Sequence, residues 1–235
     1  MKKILICSPT YNESKNIRKF CSEVLNLNYK LDLIIIDDNS PDGTSKIIKK
    51  LKFKYKNLIL LKRKKKLGLG SALRDGMKYA LKKGYDALIT IDADLSHDPK
   101  EILMLINESK YSDFVIGSRF IKYGKSDYTG FRDIVSRVAN KLCRIVLNMP
   151  FKEFTTSFRL YNYKCLKTLD KASLSSDGYS SQVEFFFYIY KAGLNCREVP
   201  INFRKRYRGN SKIPRLQIFY SSLKLIQLFF KRFFY

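Results

Sequence analysis

Two aspartates one residue apart, Asp92 and Asp94, close the apolar run Ala87-Leu88-Ile89-Thr90-Ile91. Alternate residues of a strand share a face, so both carboxylates would project together from its carboxyl end. Crowded carboxylates repel unless a cation neutralises them, and hard oxygen ligands suit Mg²⁺ or Mn²⁺ that also carries substrate phosphates. The pattern predicts a metal-diphosphate site. A plainer alternative stays open at this point: a strand followed by a helix that Asp98 or Ser96 caps, with Pro99 as its first residue.

The elements that must position these groups follow from hydrophobic patterning. Short apolar runs alternate with helical patterns: Ile4 to Cys7, then Glu13 to Leu27; Leu31 to Ile36, then Thr44 to Phe53; Leu58 to Leu61, then Ser71 to Lys82; Ala87 to Ile91, then Pro99 to Ser109; and finally Phe114 to Gly117. Strand-helix alternation with continuous apolar strands predicts an α/β fold with a mainly parallel sheet covered by helices on both faces. Ligands bind such sheets beyond the carboxyl ends of the strands. Polar signatures collect there: Ser8-Pro9-Thr10-Tyr11-Asn12-Glu13, Asp37-Asp38-Asn39-Ser40-Pro41-Asp42-Gly43-Thr44, the Asp92/Asp94 pair, and Gly117-Ser118-Arg119.

Composition narrows the classes. The 235 residues, 45% hydrophobic and 14% aromatic, suffice for one domain with a sizeable core and exclude a disordered chain. Lys+Arg 46 against Asp+Glu 21 leaves a formal charge of +25, which calls for anionic partners: nucleic acid, an acidic membrane surface or phosphorylated substrates. Nucleic acid is disfavoured, because no zinc spacing, aromatic RNP pattern or compact basic stripe is present. The five cysteines, Cys7, Cys21, Cys143, Cys165 and Cys196, show no C-x-x-C spacing and suit a reduced cytosolic setting. The opening Met1 to Cys7 is too short an apolar run for a signal peptide and is expected to be the first strand.

Several motifs fail on inspection. Asp38 to Gly43 starts like a calcium loop, but Lys49 stands where a bidentate Glu is needed. Gly68-Leu69-Gly70 precedes a helix, yet Leu73 occupies the third glycine position of a dinucleotide fingerprint, leaving a glycine turn with Ser71 as cap. His97 is the only histidine, which excludes His-rich zinc sites; a capping or supporting role is expected of it.

In order along the chain, Pro9-Thr10-Tyr11-Asn12-Glu13, Asp37 to Thr44, Leu67-Gly68-Leu69-Gly70, Asp92-Ala93-Asp94-Leu95-Ser96-His97-Asp98-Pro99 and Gly117-Ser118-Arg119 resemble the motifs of family 2 inverting glycosyltransferases of GT-A fold. More narrowly the chain resembles dolichol-phosphate (polyprenyl-phosphate) mannosyltransferase catalytic chains. That likeness continues through Arg132 to Arg137 with Asn140, Thr156 to Tyr161, Val199-Pro200-Ile201, Arg206 and Gly209-Asn210-Ser211-Lys212. It implies a GT-A domain over residues 1–212 that moves mannose from GDP-mannose to a polyprenyl phosphate. Pro9, Tyr11, Glu13, Ile36 and Asp38 match positions that hold the nucleoside. Asp92 and Asp94 match positions near the diphosphate, Asp92 and Ala93 count with the substrate-binding set, and Asp92, Asp94 and Ser96 are the candidate metal ligands; relatives often carry Gln where Ser96 stands. Arg119, Arg206 and Lys212 match donor-diphosphate contacts, and Arg132 and Ser136 the acceptor-phosphate site. The catalytic set so implied is Asp94, Arg119, Arg132 and Ser136. Spaced four apart, Arg132 and Ser136 would share a helix face. Glu153 stands where relatives usually carry Asp and is assigned no role. Variants of the same reaction type remain open: UDP-glucose as donor, or a glycan hydroxyl as acceptor.

Residues 213–235 form the second informative region. Read as a helix from Pro214, they place Gln217, Ser221, Lys224 and Lys231 on one stripe and Leu216, Phe219, Leu223, Ile226, Phe229, Phe230 and Phe233 on a wide apolar arc. Lys224 in mid-helix argues against a transmembrane span and for an amphipathic helix lying on an anionic membrane, at its cytosolic face. Packing of this helix on the domain or on a partner subunit is the alternative, and a membrane-anchoring subunit is a possible partner.

Overall fold

A computed structural model describes residues 3–209 and 217–233. Its elements in chain order are β1 (Ile4–Thr10), α1 (Ile17–Leu25), β2 (Leu31–Asp37), α2 (Thr44–Lys54), β3 (Leu58–Lys62), α3 (Leu69–Lys82), β4 (Ala87–Thr90), a 3₁₀ turn (Pro99–Glu101), α4 (Ile102–Glu108), β5 (Phe114–Ser118), β6 (Lys125–Ser126), α5 (Phe131–Leu147), β7 (Arg159–Asn162), α6 (Tyr163–Lys171), α7 (Ser181–Lys191), β8 (Cys196–Pro200), β9 (Asn202–Phe203) and α8 (Gln217–Lys231). The central sheet runs β3-β2-β1-β4-β7-β5-β8, and β6 pairs with β9 in a small second sheet. Every pair in the central sheet is parallel except those of β7, which is antiparallel to both β4 and β5.

The strands are apolar on both faces because both faces are covered. In β1, Leu5 and Cys7 enter one core layer, with α3 and α7, while Ile4 and Ile6 enter the other, with α1 and α4. In β2, Ile34 and Ile36 side with the first layer and Leu33 and Ile35 with the second. This is the period-2 alternation of a strand between two helical layers. The fold is the mainly parallel α/β arrangement expected.

Three local expectations need correction. The first helix begins at Ile17, not Glu13, because residues 12–14 are tied down elsewhere: Asn12, Glu13 and Ser14 donate their backbone N–H groups to Ser40, Thr44 and Asp42. Ser71 is not a cap; helix α3 starts at Leu69 with Gly68 in the N-cap position, and Ser71 Oγ instead accepts from Arg63. Gly68 has φ +93°, and a Cβ there would lie 2.5 Å from the Asp177 carbonyl oxygen, so the turn needs glycine for both conformation and space. By contrast, Asp98 does cap Pro99, its carboxylate accepting from Lys100 N at 3.0 Å.

The third correction concerns the tail. Helix α8 packs against α5 and α7, and its lysines face the protein rather than a solvated stripe. Lys224 Nζ lies 3.0 Å from Glu184 Oε1 and 2.7 Å from Ser175 Oγ, and Lys231 Nζ donates to the Tyr188 hydroxyl at 2.8 Å. Leu216 and Pro214 lie outside the described residues, as do the side chains of Gln217 and Phe219. Glu184 is fully buried. Burial raises its pKa, but the Ser176 N–H and the Lys224 ammonium outweigh that and hold it below the usual range. A depressed folded-state pKa gives stability that is fully present above the ordinary glutamate value of about 4.3 and lost as pH falls through the folded-state value. Lys224→Met, which strands the buried carboxylate, is expected to cost about 3 kcal/mol, or roughly 6–12 °C in Tm. Differential scanning calorimetry at neutral pH checks this, and the Lys224→Met/Glu184→Leu double variant should recover most of the loss.

Candidate active site

The carboxyl ends of β1, β2 and β4 each break into a left-handed residue: Asn12 at φ +58°, Asn39 at +57° and Leu95 at +63°. Asparagine tolerates this conformation; leucine is strained in it, and such strain persists where surrounding contacts over-determine the backbone. At Leu95 those contacts are visible. Asp94 Oδ1 accepts from both the N–H (2.9 Å) and the hydroxyl (2.6 Å) of Ser96, while Arg204 N and Tyr207 N donate to the carbonyls of Ser96 and Asp94. The strained turn thus fixes the Asp94 carboxylate and pins the 204–207 loop over it.

That loop delivers Arg206. Its guanidinium sits between two carboxylates, 2.9 Å from Glu13 Oε1 and 2.9 Å from Asp94 Oδ2. Asn16 Nδ2 holds the other oxygen of Glu13 at 2.7 Å. Sequence positions 13, 94 and 206 therefore meet in one charge cluster. Asp92 lies beside it with 39% of its side-chain surface accessible; desolvation within the cleft, then the charge of Asp94, push its carboxyl up to about 7. His97, 3.9 Å from Asp92, is enclosed between Phe158 and Phe203, and burial pushes its imidazole down to about 4 despite the opposing pull of Asp94.

Among the described residues no group of three or more His, Cys, Asp and Glu forms a metal cage. The donor set present, two neighbouring carboxylates with a serine hydroxyl oriented on one of them, nevertheless fits a hard divalent cation of the kind that completes its shell with phosphate oxygens and water. Ser96 is buried, with its hydroxyl committed to Asp94.

The nucleoside positions divide. Tyr11 lies at the cleft with Lys66 Nζ 4.1 Å from its ring centre, and Pro9 is half-buried on β1, in register with Ile36. Ile36 is fully buried and its side chain belongs to the core beside Cys7 and Gly76; Ala93 is likewise in the core. Only their backbones can face a ligand. Asp38 is already engaged: Oδ1 accepts from Arg63 Nη1 at 2.6 Å and Oδ2 from Gly68 N at 3.0 Å.

Arg63 went unnoticed in the sequence because it opens the basic run Arg63-Lys64-Lys65-Lys66, where any single cation looks solvated. It is buried at the end of β3, bridging Asp38, Asp75 and Ser71. Its one available signal was its place, directly after an apolar strand. Tyr179 was missed as well. Partly exposed, it feels the charges of Asp92, Arg206, Asp94 and Glu13, and burial, then the charge of Asp92, push its phenol up to about 12.

Arg119, at the end of β5, is held rather than free. Its Nε and Nη2 reach the two oxygens of Glu153 at 2.7 and 2.9 Å, Nη2 also donates to Thr155 Oγ1, and Phe120 and Phe203 flank the guanidinium. Glu153 is fully buried; burial would raise its carboxyl, but the Arg119 charge and hydrogen bonds keep it below the usual range. The network continues into α5 through Asn140, whose Nδ2 donates to Thr155 Oγ1 and whose Oδ1 accepts from Phe154 N. Arg132 and Ser136 both lie on α5, about two turns and one turn before Asn140; Arg132 is exposed above the Tyr128 ring and Ser136 half-buried. Lys212 lies outside the described residues.

Comparison with known proteins adds the following. Residues 5–170 match the family model described as Glycosyl transferase family 2. The chain is 32% identical over 212 residues, 90% of its length and 87% of the relative's, to an undecaprenyl-phosphate mannosyltransferase of Micrococcus luteus. It is 31% identical over 215 residues, 90% of its length and 81% of the relative's, to a polyprenol monophosphomannose synthase of Mycolicibacterium smegmatis. Its fold is shared with glucosyl-3-phosphoglycerate synthase from Mycobacterium tuberculosis, solved with Mn²⁺ and uridine diphosphate, at a TM-score of 0.68 and 19% identity over 98% of this chain and 80% of that one.

Proposed function

Because the chain belongs to glycosyl transferase family 2, we propose that this glycosyltransferase moves mannose, with inversion, from GDP-mannose to a polyprenyl phosphate at the cytosolic face of a membrane. The observation that carries this reading is the cluster of Glu13, Asp94 and Arg206 beside Asp92, at the sheet edge where a nucleoside diphosphate would lie. The names of the two mannosyltransferases above supply the sugar and the lipid-phosphate class.

In this reading Asp92 and Asp94, with Ser96 orienting Asp94, hold Mg²⁺ or Mn²⁺. When bound, such a cation supplies charge for the diphosphate leaving group. Arg206 is placed to exchange its carboxylate partners for phosphate oxygens, for which a guanidinium fork is well shaped. Lys212 and Arg119 are proposed to add to the same field, Arg119 from the orientation that Glu153 imposes. Pro9, Tyr11, Glu13, Asp38 and the backbone at Ile36 and Ala93 would line the nucleoside and diphosphate path. A lipid phosphate is anionic at neutral pH and needs little help from a base. That suits a site whose histidine is held down to about 4. Arg132 and Ser136 would place the acceptor phosphate for in-line attack.

The test is incubation of the purified chain with GDP-mannose, UDP-glucose or UDP-GlcNAc, with Mg²⁺ or Mn²⁺ and a polyprenyl phosphate in detergent, read by mass spectrometry of the lipid. A mannosyl-phospholipid formed only with divalent cation is expected. A glucosylated lipid would replace the donor and keep the mechanism. The absence of any lipid product, despite nucleotide binding, would overturn the acceptor assignment.

A further inference from the structure

Both oxygens of the Asp94 carboxylate are taken by groups of the protein itself. Oδ1 accepts from the N–H and the hydroxyl of Ser96, and Oδ2 faces Arg206 Nη2 at 2.9 Å. The same guanidinium reaches Glu13 Oε1, also at 2.9 Å. Arg206 keeps 20% of its side-chain surface exposed and the two carboxylates 9% each, so water screens these charges little.

The guanidinium is delivered by a strap, residues 204–208, that is tied down at several points. Arg204 N and Tyr207 N donate to the carbonyls of Ser96 and Asp94, Arg206 N donates to the Tyr128 hydroxyl, and Asn16 Nδ2 donates to the Arg208 carbonyl at 3.0 Å. Two anchors lie on its outer side: Arg204 Nη2 is 2.9 Å from Asp98 Oδ2, and Lys19 Nζ is 4.0 Å from the centre of the Tyr207 ring. Arg206 is therefore held on its carboxylates by the backbone as well as by charge.

One of those carboxylates is a candidate cation ligand. A divalent cation on Asp94 Oδ2 and a guanidinium 2.9 Å from the same oxygen are like charges in a cleft with little water, and they repel. Either one gives way or a further anion joins them. A diphosphate is such an anion, since its oxygens suit both a hard cation and a guanidinium fork.

We propose that Arg206 is a built-in competitor for the cation, an internal counter-ion that closes the site and yields Asp94 when a divalent cation and a diphosphate arrive together. This competition rests on the cation reading above and adds a rule of coupling to it. The cation alone binds weakly, the diphosphate tightens it, and each raises the affinity of the other by the same factor.

Mn²⁺ binding to the full chain, read by electron paramagnetic resonance of the free ion, tests this without turnover, with no addition, with GDP and with guanosine. In the wild type GDP should tighten Mn²⁺ by about tenfold or more, and guanosine should not. Arg206→Gln should bind Mn²⁺ alone about tenfold more tightly than the wild type, and the gain from GDP should shrink. Arg206→Lys, which keeps a charge but loses the fork, should fall between. Lys19→Ser/Arg204→Ser changes two exposed anchors and leaves Arg206 in place; it should move Mn²⁺ affinity the same way by about two- to threefold. Circular dichroism confirms folding of each variant. Mn²⁺ held by Arg206→Gln no more tightly than by the wild type, while GDP-dependent binding persists, would overturn the proposal and leave the cation site standing. An equal gain from guanosine would overturn it as well, because the phosphates would then not be the new partner of Arg206. Absence of Mn²⁺ binding from every protein, with GDP present, would sink the cation reading and the competition with it.

Discussion

Asp94→Asn is expected to lower kcat/KM for mannosyl transfer by at least about a hundredfold at saturating divalent cation. The substitution keeps the shape of the side chain and an oxygen that can still accept from Ser96. What it removes is the charge that faces Arg206 at 2.9 Å and that a cation would bind. The loss should therefore appear in turnover and in cation affinity, with little change in thermal stability. Ser96→Ala, which only loosens Asp94, should cost about tenfold, within the range for a group that positions another. Initial rates across a Mn²⁺ titration read both. An Asp94→Asn enzyme that turns over like the wild type would remove Asp94 from the reaction.

The second large effect concerns Arg119, whose partner Glu153 has no exposed surface. Arg119→Met leaves that carboxylate buried without its counter-charge, held only by hydrogen bonds from Thr155 and Thr156, at a cost of about 3–5 kcal/mol near neutral pH. The sign of the pH dependence distinguishes this cause from a general loss of packing. In the wild type the Glu153 pKa is depressed, so its contribution is present above the ordinary glutamate value and fades as pH falls. Without Arg119, burial is opposed only by the hydrogen bonds from Thr155 and Thr156, and the pKa rises from its wild-type position. The variant is then most destabilised at high pH and recovers as the carboxyl takes up a proton. Between pH 8 and pH 5 the Glu153 contribution of the wild type stays in place, whereas the urea midpoint of the variant should rise toward it as the carboxyl takes up a proton. Arg119→Lys keeps the charge but loses the two-oxygen fork, and intermediate stability is expected.

Much of the first half of the chain was legible because its strands are continuous apolar runs and its candidate site residues sit where those runs stop. Asp92, Asp94 and Glu13 could be found that way. The antiparallel insertion of β7 could not, since a strand buried on both faces carries no mark of its direction. Pairing across long separations was equally hidden. Arg119 and Glu153 are 34 residues apart, and nothing in either segment points to the other. Ile36, which the family resemblance sets among the nucleoside positions, has its side chain sent into the core by strand alternation, so that a contact there falls to its backbone. For α8, periodicity separated two faces without saying which one the domain would take; that was decided by Glu184, 40 residues earlier.

The Lys224–Glu184 pair has a consequence for natural variation. Glu184 also accepts the backbone N–H groups of Ser175 and Ser176, and the Ser176 carbonyl lies where a Cβ on Gly70 would collide. A substitution at 184 is therefore felt at the tail helix and at the start of α3 together. Drift at this position should be tolerated only in company, so that homologous chains lacking the acid also lack the lysine, and the two columns change as a unit.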